Sequence, residues 1–186
     1  MNVVISPGEF NTQLVYFTDK KANTHIPNST FNRITYSTSD FIMNGIYIQF
    51  ELNVRTTEKN FNNNIYNCHF DTAHPHNKMV IDIFEKIEAD ILQKWNRTHA
   101  ASAASAAASA ASAASAASAA SAASAASAAA SARCDIIQQL RDGVISVWKQ
   151  DLYITDKPQF YHFIIKISGV WENETENEYG LTYKCI

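Results

Sequence analysis

The chain has 186 residues, with 15 Lys and Arg against 18 Asp and Glu and a formal net charge of −3. That balance excludes a general attraction to nucleic acid or to an anionic membrane. Three cysteines without a CxxC pair fit a reducing compartment better than a disulfide framework. Residues 1–10 lack the basic-then-apolar pattern of a signal peptide, and outside an Ala/Ser stretch there is no 18-residue apolar span, so an intracellular protein without a membrane anchor is expected.

In chain order, residues 13–18 form a short β-like run, and 19–29 read as a polar loop around Pro27-Asn28. A second strand is expected at 31–37. The strongest strand signal is 46–54, where Ile46, Ile48, Phe50, Leu52 and Val54 alternate with Tyr47, Gln49, Glu51 and Asn53. One face is therefore buried and the other meets water or a ligand. Asn44-Gly45 fits a tight turn pairing residues 41–43 with this strand. A polar loop at 55–63 and a strand at 64–70 follow.

Residues 78–95 carry a helical pattern. Val80, Ile83, Phe84, Ile87, Ile91 and Trp95 form one stripe, with Asp82, Glu85, Lys86, Glu88 and Asp90 opposite and Pro75 and Asn77 as start signals. Residues 134–148 repeat the pattern through Ile136, Ile137, Leu140, Val144, Val147 and Trp148, with Gly143 as a weak point or a mark of close packing. Between these two segments, 100–132 contain only alanine and serine. Helix is locally permitted there, but a serine at every third position from Ser109 to Ser127 visits all faces and leaves no apolar stripe. The tract reads as a solvent-exposed spacer or excursion; a partner-binding helix is the sharper alternative. At the C-terminus, Tyr161, Phe163, Ile165, Ile167 and Trp171 share one parity, and His162, Ile164, Lys166, Ser168 and Val170 the other. An acidic turn holding Glu172, Glu174, Glu176 and Glu178 leads to a last strand, 179–185, giving an antiparallel hairpin.

These elements predict an α+β fold: a mainly antiparallel sheet, open or curled into an OB-like barrel, with two amphipathic helices joined by the Ala/Ser excursion. Residues 1–99 and 133–186 would be two parts of one domain, and 100–132 the low-complexity insertion.

The densest set of metal-capable residues is Cys68, His69, His74 and His76. Their spacing matches no closed four-ligand pattern and no second cluster completes one, so no metal or other cofactor is expected. No Gly-x-Ser-x-Gly, phosphate loop or Cys–His signature is present, and Glu85 and Glu88 lie on the polar helix face, so no catalytic residues are assigned and a non-enzymatic protein is expected. Single-stranded nucleic acid requires aromatic faces for stacking and cations along the backbone path. Outward strand positions supply Tyr47, His162, Lys166 and Lys184, and the following loop adds Arg55 and Lys59. Tyr36, Arg33, Tyr66, Lys20 and Lys21 extend such a face. The acidic turn opposes nonspecific DNA affinity unless it acts as an anionic mimic that competes for the site.

The runs Lys166-Ile167-Ser168-Gly169-Val170-Trp171-Glu172 and Tyr179-Gly180-Leu181-Thr182-Tyr183-Lys184, with Met43-Asn44-Gly45-Ile46-Tyr47-Ile48 and Ile87-Glu88-Ala89-Asp90-Ile91-Leu92, resemble small single-stranded-DNA-binding proteins of OB fold from large double-stranded DNA viruses. The resemblance covers residues 11–95 and 134–186. The chain departs from it in the Ala/Ser insertion, and in ending at Tyr183-Lys184-Cys185-Ile186 where some phage-type binding proteins carry an acidic tail. It implies a viral replication or repair protein in host cytoplasm or nucleus, binding single-stranded DNA without sequence specificity, with replication proteins as further partners. The competing expectation is a structural or protein-interaction module that uses the Ala/Ser tract as spacer or docking element.

Overall fold

The computed structural model describes residues 3–23, 27–60, 65–113, 131–148, 159–173 and 175–186, with backbone alone at 60 and 100–113. Two single-turn 3-10 helices, Pro7–Glu9 and Thr12–Leu14, lead into β1 (Val15–Phe17). Then come β2 (Lys21–Ala22), β3 (Ser29–Ser37), β4 (Ile42–Asn44), β5 (Ile46–Asn60), β6 (Ile65–Phe70) and α1 (Pro75–Ala113). β7 (Ser131–Arg133), α2 (Asp135–Arg141), β8 (Val144–Trp148), β9 (Gln159–Asn173) and β10 (Glu178–Cys185) complete the fold. It is α+β, with one large, mostly antiparallel sheet in the order β1-β3-β9-β5-β6-β8-β10-β7, and with β2 and β4 on β3. Strands from before and after the Ala/Ser tract are interleaved in that sheet.

The pairings also return on themselves. β9 pairs with both β5 and β10, linking β5, β6, β8, β10 and β9 in a ring. The thinnest link is the parallel contact of β8 with β10, where Cys185 lies opposite Val147. The ring turns because β5 changes partner along its length. Its residues 46–54 lie on β9 and 54–60 on β6, with a register break between Val54 and Thr56. The strand thus covers residues 55–60 of the stretch predicted as a polar loop, and 61–63 lie outside the described residues. Polar side chains there mark an exposed strand face, while Thr57 is buried.

The core lies between the sheet and the two helices. Ile46, Ile48, Phe50, Leu52 and Val54 are all buried, as the alternation predicts. Phe84 of α1 packs edge-on against Phe50 with ring centroids 4.8 Å apart, and Trp95 packs on Tyr179 at the same separation. Asn77, predicted as a helix-start signal, is fully buried and ties α1 to the sheet instead. Its Oδ1 accepts from Asn53 N–H (2.8 Å), and its Nδ2 donates to the carbonyls of Asn53 and Asp71.

Three local expectations are corrected. The predicted helix at 134–148 stops at Arg141, because Gly143 takes a left-handed conformation (φ +71°) with its N–H on Leu140 O. The β-branched residues that follow then form β8 against β6. The segment 41–43 does not pair with β5. A turn in which Thr38 N–H donates to Phe41 O folds β4 back on β3. In the C-terminal hairpin, Gly169 faces Thr182 and Ile167 faces Tyr183, so Ser168 is an extra residue. That bulge moves Val170 onto the core side, where strict alternation placed it outside.

Helix α1 starts at Pro75 and continues into the Ala/Ser tract to Ala113. Residues 114–130 lie outside the described residues, and the tract's last two residues join β7, which runs parallel to β10. Among the described residues no helix is long and apolar enough to cross a membrane.

Candidate nucleic-acid interface

On the face of the sheet turned away from the helices, Tyr47 of β5 lies opposite Lys166 of β9, and Lys166 lies opposite Lys184 of β10. Directly paired residues project on the same side, so the three side chains form one row across three strands. Lys166 Nζ sits 5.1 Å from the Tyr47 ring centroid, within cation–π range. Among the described residues no carboxylate pairs with Lys166 or Lys184; Lys184 is exposed, while Lys166 and Tyr47 are half-buried. The backbone of Ile5 bridges Tyr47 O and Gln49 N–H, laying the N-terminal segment along β5.

Four residues along the strands, Glu51 lies opposite His162, and His162 Nδ1 is 3.0 Å from Glu51 Oε1. Protonated His162 is therefore partly compensated by its neighbour. A cavity of about 220 Å³ lined by Ile5, Ser6, Gln49, Glu51 and His162 adjoins this pair.

Arg55 and Lys59 lie elsewhere, beyond the point where β5 leaves β9 for β6. Arg55 pairs with Asp71, and Lys59 Nζ lies 5.6 Å from the Tyr66 ring centroid. Tyr66 and Tyr36 are buried, at 3% and 1% exposure, and neither offers a ring to a ligand. Tyr36 spends its hydroxyl oxygen accepting from Asn11 N–H. Arg33 and Lys21 are exposed, and Lys20 pairs with Glu172 at 2.8 Å.

The acidic turn is engaged locally. Glu172 meets Lys20 and His99, Glu176 accepts from Asn173 Nδ2, and Glu178 lies 4.0 Å from Arg133. Glu174 lies outside the described residues. Glu178 starts β10 and Lys184 is near its end, about 20 Å away at a strand's rise per residue, so this turn is not poised over the Tyr47 row.

Cys68 and His69 point to opposite faces of β6, while His74 lies just before α1 and His76 in its first turn. Cys68 is buried in the core, and desolvation pushes its thiol up to about 11. His69 turns to Glu58 at 3.5 Å, while His74 and His76 meet the edge of Phe160. Among the described residues no group of three His, Cys, Asp or Glu is placed to hold a metal ion.

The residue that sequence reasoning missed is Trp148. Assigned to an apolar helix stripe, it instead ends β8 on the outward face and is 58% exposed. Gly143 followed by the alternating Val144, Ile145, Ser146 and Val147 was the signal available for it. Compared with family models, curated proteins and solved structures, the chain matches none.

Proposed function

We propose that the outward face of β5, β9 and β10 binds single-stranded DNA without sequence specificity, in replication or repair of a viral genome. The supporting observation is the row Tyr47–Lys166–Lys184, an aromatic ring beside two lysines with no carboxylate partner among the described residues, which is the minimal arrangement for base stacking with phosphate contact. The ring order of the strands also favours reading the sheet as a partly open OB-type barrel. A path over the second and third strands of such a barrel would instead lie on β6 and β8, with exposed Trp148 as the stacking ring. The competing reading, a protein-interaction module, is favoured by exposed Met79, Trp148 and Phe160.

Fluorescence anisotropy of a labelled oligothymidine at low and moderate salt, with a duplex control, tests the proposal. Binding should be selective for the single strand and fall steeply with salt. Lys166→Ala should reduce the log–log salt slope by about 1, and Tyr47→Ala should weaken binding by about 1–3 kcal/mol. An effect of Trp148→Ala without one of Tyr47→Ala would move the site to β6 and β8. No binding at low salt would end the DNA reading and favour a protein partner.

A further inference from the structure

Strand β5 lies with one edge on β9, and its other edge is only partly covered between residues 47 and 53. We propose that this edge takes up an extended peptide by strand addition, in place of the chain's own residues 3–6. The inference does not rest on the single-stranded-DNA reading, which concerns side chains on the face of the sheet.

The backbone lacks one rung here. Ile5 lies parallel to β5 opposite Ile48; its N–H donates to Tyr47 O and its carbonyl accepts from Gln49 N–H, both at 2.9 Å. At the far end His76 Nε2 lies 3.2 Å from Glu51 O, and Asn77 holds both backbone groups of Asn53. Gln49 O and Glu51 N–H fall between these two covers. Among the described residues neither has a hydrogen-bond partner. A strand edge with unpaired N–H and C=O groups is a template for another strand. The cavity of about 220 Å³ beside His162 opens at this gap, with Ile5, Ser6, Gln49, Phe50 and Glu51 in its wall.

The sequence explains why the chain does not fill its own gap. In a parallel ladder the second residue after Ile5 would bond to Gln49 O and Glu51 N–H. That residue is Pro7, which has no N–H to give, and the chain turns there into the 3-10 helix Pro7–Glu9. A segment with any other residue at this position makes one rung more.

The hold of residues 3–10 is light. They meet β5 through a single bridging residue, and a cavity of about 400 Å³ lies between Pro7, Gly8 and Phe10 on one side and Ile83 and Ile87 of α1 on the other. The chain is pinned only beyond this point. Lys94 Nζ donates to Thr12 O (2.7 Å) and Gln13 O (3.1 Å), and the Tyr36 hydroxyl accepts from Asn11 N–H. Residues 3–10 can therefore leave the edge while 11–14 stay in place.

Register sets the chemistry of the peptide. The residue in the place of Ile5 is aliphatic, because that position is in the core. Two residues on, the side chain points inward beside Phe50 and is apolar but not proline. The next one points outward beside Glu51, whose carboxylate favours Lys or Arg where the chain itself has Gly8.

The test is an NMR titration of the full chain that follows the Gln49 and Glu51 backbone amides. The probes are acetyl-Val-Val-Ile-Ser-Val-Lys-amide and the same peptide with proline as its fifth residue. The first should shift both amides saturably by millimolar concentration and slow hydrogen exchange at Glu51. The proline peptide has no N–H for Gln49 O and should bind at least about tenfold more weakly. Ile5→Asp loosens the attached competitor, which acts at a high effective concentration, and should tighten peptide binding at least about tenfold. The titration of the wild type decides alone if that variant does not fold. Lys166→Ala should leave peptide binding unchanged, so failure of the DNA interface and failure of this site are separable. The inference is overturned if the first peptide shifts neither amide, if the proline peptide binds equally well, or if folded Ile5→Asp binds no more tightly than the wild type.

Discussion

Glu88 shows how one residue joins the two halves of the chain. Its sequence position suggested a solvated helix face, yet it is 1% exposed. Its carboxylate accepts from Ile137 N–H (2.9 Å) and Ile136 N–H (3.3 Å), satisfying first-turn donors of α2 that Cys134 leaves uncapped. Burial pushes its carboxyl above the ordinary glutamate range, against the lowering effect of those two N–H groups. A carboxyl with a raised pKa keeps its proton longer in the fold than in the unfolded chain. Stability therefore falls as pH rises from the unfolded carboxylate range through the raised value, and the loss is complete above it. Glu88→Gln keeps an acceptor without the charge, so urea unfolding across that window should show the wild type losing stability relative to this variant as pH rises. A constant difference would mean that the carboxylate is not perturbed. Glu88→Ala should cost about 2 kcal/mol near neutral pH, since it orphans buried N–H groups.

Among the elements, α2 and β8 are set by one glycine. Gly143 sits at φ +71°, and a Cβ there would lie 2.9 Å from Phe70 O. That backbone region costs an L-residue about 1–2 kcal/mol, and Phe70 N–H donates to Gly143 O, so the clash cannot be relieved without loosening the β6–β8 junction. Gly143→Ala should lower stability by about 2 kcal/mol in denaturant unfolding. The helix α1 divides differently. Ile91 is fully buried, and Ile91→Ala should cost about 2–5 kcal/mol. The extension into the tract has no apolar stripe to bury, so Ala107→Pro should reduce helical circular dichroism and move stability by less than about 0.5 kcal/mol. A large loss would assign the tract a packing role. These contrasts also explain what was legible in the sequence. Alternation at 46–54 and the stripe at 78–95 are local and strong, and both elements formed there. The helix predicted at 134–148 failed because apolar residues at spacings of three and four also fit a short helix followed by a strand, and only the glycine distinguishes them. The bulge at Ser168 has only the neighbouring Gly169 as a local signal. The outward parity of Tyr47 and Lys166 was readable, but their direct pairing was not, because register between strands so distant in sequence is set by the whole sheet. For the same reason Arg55 and Lys59 fell away from the row: nothing local shows where β5 changes partner.

At the scale of the whole molecule, the ring of five strands has an uneven seam, and two cysteines report on it. β5, β6 and β9 are joined by long antiparallel ladders, whereas β8 meets β10 through Cys185 and Val147. Cys68 of β6 and Cys185 of β10 are both buried, and desolvation pushes their thiols up to about 11 and about 12, so neither supplies thiolate in the folded state. Cys134, before α2, is exposed. A thiol reagent at neutral pH should therefore label Cys134 alone in the native protein. Because opening free energies vary across a structure, rising denaturant should expose Cys185 first, at the end of β10 where a single cross-strand contact closes the ring. Cys68, held between the β5 and β8 ladders, should follow with global unfolding. Mass spectrometry of labelled peptides across a urea series distinguishes the order. Simultaneous labelling of Cys68 and Cys185 would mean that the ring opens only with the fold as a whole, and that the short β8–β10 contact is as secure as the long ladders beside it.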